Sequence, residues 1–137
     1  METNQDIRPG RHCDFAMHVH LIFVTKYRRK VSDGNAIDRL RDHFARVCGD
    51  FEAMLKEMNG EGDHVHLLVE YPPKLAISSL VRSLKGVSSR MLRQECPDIA
   101  GHYWKDQLWN PSYFAASCGG APISIIKQYV EQQQLPT

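Results

Sequence analysis

The sequence contains no long hydrophobic run, no paired cysteine motif and no strong excess of one charge. No apolar stretch among its 137 residues approaches the ~20 residues needed to cross a bilayer. Residues 1–14 lack a hydrophobic segment typical of a signal peptide. The four cysteines are scattered without a C-x-x-C pair, which argues against a zinc ribbon or a disulfide framework. We therefore expect a cytoplasmic protein with reduced thiols and no membrane association.

The length and composition fit one small globular domain. With 42% hydrophobic residues the chain can bury a core, and we expect residues 1–137 to form a single domain, with 1–14 as a flexible N-terminus. Such a domain is small for an enzyme that works alone, so an obligate dimer is one expectation.

The net charge of +1 argues against indiscriminate binding of polyanions, but basic residues are concentrated in two regions. Residues 26–30 read KYRRK, and residues 71–94 contain no Asp or Glu. Solvated helices usually mix both signs of charge, so these regions suggest phosphate binding, with a simple solvated basic surface as the alternative. The candidate nucleic-acid-binding residues are Lys26, Tyr27, Arg28, Arg29, Lys30, Lys74, Arg82, Lys85, Arg90 and Arg93.

Hydrophobic periodicity predicts an α+β fold. Strands are predicted at 16–25, 51–58, 64–71 and 108–118, with a turn at 59–62. Helices are predicted from 33–35 to 49, from 77 to 92 and from 122 to about 134. The order βαββαβα implies an antiparallel sheet with helices packed on one face, similar to a ferredoxin-like arrangement. The second helix should carry its basic residues on an outer face, opposite its apolar residues.

Two His-Val-His segments occur on predicted strands, at 18–20 and at 64–66. Residues two apart on a strand point to the same face, so His64 and His66 can present two imidazoles to one metal ion while Val65 packs into the core. The pattern alone has little specificity, and paired histidines on a solvent-facing strand are an equally good interpretation.

Tyr129 and Gln133 lie one turn apart on the predicted last helix, and therefore on one face of it. A tyrosine hydroxyl, with a pKa of about 10, becomes an effective nucleophile only when a metal ion or nearby cations stabilise the phenolate. From periodicity alone, a core tyrosine beside Ile126 and Val130 is the favoured alternative.

Five segments, taken in order, resemble the single-tyrosine HUH transposases (TnpA type) of small insertion sequences, which move as single-stranded DNA. The segments are HLIFVTKYRRKV, GDHVHLLVE, LVRSLKGVSSRML, LWNPSYFAASCGG and IIKQYVEQQ. They cover about residues 15–134, and their specificity comes from agreement in type and order. Gly62 stands where relatives often have proline, a difference confined to the turn before the second His-Val-His segment.

The resemblance implies a metal site and a nucleophile. His64, His66 and Gln133 would hold Mg²⁺ or Mn²⁺, and Tyr129 would attack the DNA. The resemblance also implies a homodimer that cleaves and rejoins single-stranded DNA with hairpin ends through a 5′-phosphotyrosine intermediate. The basic residues named above would hold the hairpins.

The resemblance also implies a role for the last helix, but it gives His18 no role and the first His-Val-His segment no place in the metal site. Residues 121–134 would form a mobile nucleophile helix, hinged at Gly119-Gly120, that can complete the active site of the partner subunit. His18 and His20 stay outside the metal site, with a structural or DNA-facing role expected for them.

Three other interpretations stay open. A replication initiator or relaxase-type nickase would use the same chemistry, usually within a larger chain. A domesticated relative that nicks chromosomal repeat hairpins would look almost identical in sequence. A non-catalytic, nucleic-acid-binding ferredoxin-like module would need no nucleophile.

Overall fold

The computed structural model describes residues 17–26, 34–96, 107–117 and 130–132. Its elements are β1 (Met17–Val24), α1 (Gly34–Asp50), β2 (Met54–Glu61), β3 (His64–Tyr71), α2 (Ile77–Glu95) and β4 (Phe114–Ser117). The strands form one antiparallel sheet in the order β2-β3-β1-β4. The predicted α+β architecture is confirmed. Residues 1–14, and all of the predicted last helix except 130–132, lie outside the described residues.

β1 and β3 form the middle of the sheet, and the alternation of their side chains separates two faces. Odd-numbered residues such as Leu21, Phe23 and Leu67 are fully buried in the core that the sheet shares with α1 and α2. Even-numbered residues of both strands point to the opposite face, which we call the histidine face. It carries both His-Val-His pairs, together with the buried side chains of Ile22 and Val24.

α1 and α2 pack on the face opposite the histidine face, as the sequence predicts. Residues at helical spacing on both helices, such as Leu40 and Phe44 of α1 and Leu84 of α2, are fully buried. The Phe44 ring packs edge-on against Phe23, with 5.9 Å between the ring centroids. His43 of α1 also bonds Glu95 near the end of α2, with 2.8 Å between Nε2 and Oε1. That hydrogen bond is the main reason why the pKa of the Glu95 carboxyl is lowered. None of the described helices is long and apolar enough to cross a membrane.

The second strand and its turn differ from the prediction of a strand at 51–58 and a turn at 59–62. β2 runs from Met54 to Glu61, because its last three residues pair in register with the start of β3. The connection is therefore the two-residue segment Gly62–Asp63, the shortest common hairpin loop. The short turn pairs Glu61 with His64, which fixes the register of β3 from its first histidine.

The predicted strand at 108–118 is also wrong in its first half. Only Phe114–Ser117 forms β4, paired with β1, while Trp109 makes an isolated bridge to Thr25. Pro111 has no N–H to donate to a ladder. The carbonyls of residues 110–112 instead accept hydrogen bonds from the Lys85 side chain.

A second, smaller apolar cluster lies on the histidine face. Val130 is buried there against Ile22 and Val24 of β1, and Phe114 of β4 packs beside them. The segment at 130–132 therefore contacts the sheet from the side that α1 and α2 leave open.

Candidate active site

His64 and His66 lie side by side on the histidine face at the start of β3, and both are half-buried. In the antiparallel register, His64 is opposite Val24 and His66 is opposite Ile22. The predicted placement of two imidazoles on one face, with Val65 in the core, agrees with this arrangement.

The Asp63 carboxylate orients the ring of His64. Nδ1 of His64 lies 3.0 Å from Oδ1 of Asp63, so the imidazole donates from Nδ1, and the neutral form of the ring has its lone pair on Nε2. The Asp63 carbonyl accepts from the backbone N–H of Thr25 at 2.9 Å and from its hydroxyl at 3.2 Å. The turn that carries His64 is thus tied to the end of β1. A carboxylate partner of this kind commonly orients a metal-binding histidine.

His66 makes its contact with His20, which the sequence left outside the site. Nδ1 of His20 lies 2.8 Å from Nε2 of His66, and the two rings stack with centroids 5.0 Å apart. Burial lowers the pKa of His66, and the neighbouring His20 and His64 lower it further, against an opposing effect of Glu57. The shared nitrogen contact also requires at least one neutral ring. The repeated His-Val-His pattern was the only sequence signal for this contact.

The two imidazoles fit a metal site as part of its ligand set. A metal-binding histidine must be neutral, and the lowered pKa of His66 favours that form. Among the described residues, no group of three or more His, Cys, Asp or Glu side chains could hold a metal ion. The pair therefore supplies two ligands at most. Gln133, which the resemblance assigns as the third, lies outside the described residues.

Tyr129, the candidate nucleophile, also lies outside the described residues, but its neighbour Val130 does not. Val130 is 7% exposed and packs on Ile22 and Val24, the direct cross-strand partners of His66 and His64. The chain directly after Tyr129 therefore contacts the histidine face of its own sheet.

The candidate DNA-binding residues divide among several environments. Tyr27, Arg28, Arg29 and Lys30 lie outside the described residues. Lys26 is held at the end of β1, where its backbone N–H donates to the Leu108 carbonyl. The other described members lie on or before α2: Lys74 pairs with Glu52 at 3.1 Å, Arg82 and Arg90 are exposed, and Arg93 is half-buried.

Comparison with known proteins identifies the relatives of this chain. The family model described as "Transposase IS200 like" matches residues 13–133. The chain belongs to this family. It is 32% identical over 128 residues to the ISDra2 transposase TnpA of Deinococcus radiodurans, covering 93% of this chain and 91% of that protein. It is 30% identical over 114 residues to the IS200 transposase of Salmonella typhimurium, covering 83% and 74%.

Solved structures agree with this assignment. A Deinococcus radiodurans protein described as a transposase superposes with a TM-score of 0.84 at 31% identity, covering 94% of this chain and 99% of that one. A REP-associated tyrosine transposase bound to a REP hairpin gives 0.55 at 14% identity, covering 96% and 68%. The second likeness shows the fold alone. The resemblance inferred from the five sequence segments is confirmed at the level of the family.

In this IS200-like transposase, the ammonium of Lys85 is directed at the protein's own backbone. Its Nζ lies 2.7, 3.0 and 3.1 Å from the carbonyl oxygens of residues 110, 111 and 112. Burial lowers the pKa of Lys85 to about 8. A cleft of about 340 Å³ lies between α2 and residues 107–111. Lys85, Arg90, Arg93 and Trp109 are among the residues that line it. The Lys85 side chain therefore does not lie on the predicted outer face, because its ammonium donates hydrogen bonds to the loop at residues 110–112.

Replacing Lys85 with methionine should lower the free energy of unfolding of this transposase by about 1.5–3 kcal/mol, since a charged donor is lost from three carbonyl acceptors. Urea denaturation followed by tryptophan fluorescence measures the change. Arg82→Met, an exposed position on the same helix, serves as the control and should stay within about 0.5 kcal/mol. Equal losses in the two variants would contradict this role for Lys85.

Proposed function

We propose that this transposase is a metal-dependent enzyme that cleaves and rejoins single-stranded DNA through a 5′-phosphotyrosine intermediate at Tyr129. His64, His66 and Gln133 would hold Mg²⁺ or Mn²⁺. The observation that carries the proposal is the pair of half-buried imidazoles on the sheet face where Val130, the residue after Tyr129, packs.

In the proposed reaction, some residues would hold the metal ion and Tyr129 would attack the scissile phosphate. Asp63 orients His64 so that its Nε2 keeps a lone pair. When bound, the metal ion would supply Lewis-acid stabilisation of the charge that develops on the scissile phosphate. Tyr129 would provide the attacking oxygen, as a phenolate or with loss of the phenolic proton during the attack.

Strand cleavage would be a transesterification that conserves the number of phosphoester bonds. The Tyr129 oxygen forms a bond to the scissile phosphorus, and the bond from phosphorus to the 3′-oxygen breaks. The phenol loses its proton, and the departing oxygen gains one to become a free 3′-hydroxyl. A second 3′-hydroxyl can then attack the phosphotyrosine, restore the phenol and join the strands without ATP.

We further propose that residues 1–137 act as one domain within a homodimer, with a mobile helix at 121–134 that completes the active site in cis or in trans. The small size of the chain supports the dimer. The packing of Val130 on its own sheet supports the cis arrangement.

The proposed substrate is single-stranded DNA with hairpin ends. Support comes from the exposed Arg82 and Arg90 on α2, and from the basic segment 26–30, which begins beside the turn that carries His64. A structural neighbour with the same fold was solved with a REP hairpin. α2 and the histidine pair lie on opposite sides of the sheet, so DNA that contacts both would pass around an edge or end of it.

The experiment that tests this function is an adduct assay with the DNA that flanks the protein's own gene. The full-length protein, Mn²⁺ and labelled single-stranded DNA should give a covalent protein–DNA species on denaturing gels. EDTA should prevent its formation, because the proposed site would need a divalent ion held by its two imidazoles. Failure of cognate DNA to form any adduct would exclude the phosphotyrosine mechanism and favour a non-catalytic DNA-binding module.

A further inference from the structure

His20 and His66 form a contact that a metal ion on His66 would have to replace. Nδ1 of His20 lies 2.8 Å from Nε2 of His66. In one tautomeric arrangement, the His66 nitrogen accepts the hydrogen bond through its lone pair; in the other, it carries the proton. In both arrangements, Nε2 of His66 has no lone pair available to a metal ion.

Nε2 is also the nitrogen that a shared metal ion needs from each histidine. Side chains two residues apart on a strand start about 6.6 Å apart. Two ligand atoms at about 2.1 Å from one Mg²⁺ ion lie at most about 4.2 Å apart. The rings of His64 and His66 must therefore converge at their distal ends, where Nε2 lies. Asp63 already leaves Nε2 of His64 open, whereas His20 occupies the same atom of His66.

We propose that His20 is a positioning residue that holds Nε2 of His66 while no metal is bound and releases it when a metal ion binds. The inference rests on the proposed metal site at His64 and His66. The exchange replaces one N–H···N hydrogen bond by a metal–nitrogen bond and needs no net change in protonation. The stacking of the two rings keeps His66 oriented on the histidine face before the metal arrives.

His18 provides a matched control on the same strand and face. His18 lies two positions before His20 on β1, and its Nε2 lies 3.7 Å from Oε1 of the buried Glu70 on β3. Replacing His18 with phenylalanine therefore changes an imidazole on the same face without removing the partner of His66.

The exchange is tested by calorimetric titration of Mn²⁺ into the full-length wild type, His20→Phe, His18→Phe and His64→Ala. Because one hydrogen bond no longer competes, His20→Phe should bind Mn²⁺ about 2- to 12-fold more tightly than the wild type. His18→Phe should match the wild type. Unchanged or weaker binding by His20→Phe would overturn the exchange, and weaker binding would make His20 a ligand or an orienting partner.

A measurement on the unmodified protein decides the question if His20→Phe does not fold. Imidazole ¹H–¹⁵N spectra recorded during Mg²⁺ titration should show the His20 signals shifting together with those of His66. A shift at His66 without one at His20 would overturn the proposed exchange but not the proposed metal site. Equal Mn²⁺ affinity of the wild type and His64→Ala would instead mean that the proposed metal site itself is wrong.

Discussion

Replacing Tyr129 with phenylalanine should abolish the covalent protein–DNA adduct and lower strand cleavage by more than about 10⁴-fold, the scale on which loss of a nucleophile usually acts. Phenylalanine keeps the aromatic ring of tyrosine but has no oxygen to attack phosphorus. Single-turnover cleavage of labelled single-stranded DNA measures the rate. Binding of the same DNA, followed by fluorescence anisotropy, should be nearly unchanged.

Tyr71→Phe is the control for this substitution. Tyr71 ends β3, is half-buried and packs against the helix-side core, so the loss of its hydroxyl should leave adduct formation intact. An adduct from Tyr129→Phe would show that another group is the nucleophile, and the proposed mechanism would be wrong even if the metal dependence held.

His64→Ala should lower cleavage by about 10³-fold or more, because a catalytic metal ion contributes several kcal/mol of charge stabilisation. His18→Ala, the matched change in the other His-Val-His segment, should largely spare the activity. Both side chains are about equally accessible, at 22% and 23%, so neither substitution opens a cavity in the core, and the two variants should differ mainly in chemistry. Cleavage rates at saturating Mn²⁺, with thermal melts of both proteins, make the comparison. Loss of activity in His18→Ala with activity kept in His64→Ala would place the metal site at the His-Val-His segment 18–20.

Much of the fold could be predicted from sequence because its central elements have strong periodicity. β1 is rich in apolar and β-branched residues, β3 has the composition of a strand, and α2 repeats its apolar residues at a spacing of three and four, so the sequence located all three closely. β2 alternates weakly, and Gly60 near its end looked like a turn residue. In the structure, Gly60 pairs with Val65 and lies under Ile37, whose Cδ1 would be 2.8 Å from an added Cβ. That close approach is a tertiary requirement and leaves no local sequence signal.

The site was predictable only where its geometry is local. The shared face of His64 and His66 follows from their separation of two residues on a strand. The residues that contact the site's side chains could not be predicted from local sequence. The contact between His20 and His66 depends on the register of β1 against β3, and the residues are 46 apart in sequence. The three carbonyls that accept from Lys85 are 25 to 27 residues away from it. Helical periodicity gave its angular position but could not predict that a loop would cover it.

In β3, the odd-numbered residues pack in the core and stabilise the fold, while His64 and His66 at even-numbered positions belong to the proposed site. Val65, Leu67 and Val69 are at most 2% exposed, so their truncation should reduce the amount of folded protein, whereas changes at His64 and His66 should spare it. One residue inserted in the Gly62–Asp63 turn would exchange the two sets, burying imidazoles and exposing valines. Surface loops usually tolerate changes in length. This turn should not, and homologues that remain active should therefore keep its length of two residues and the carboxylate at Asp63, while the residue at Gly62 varies.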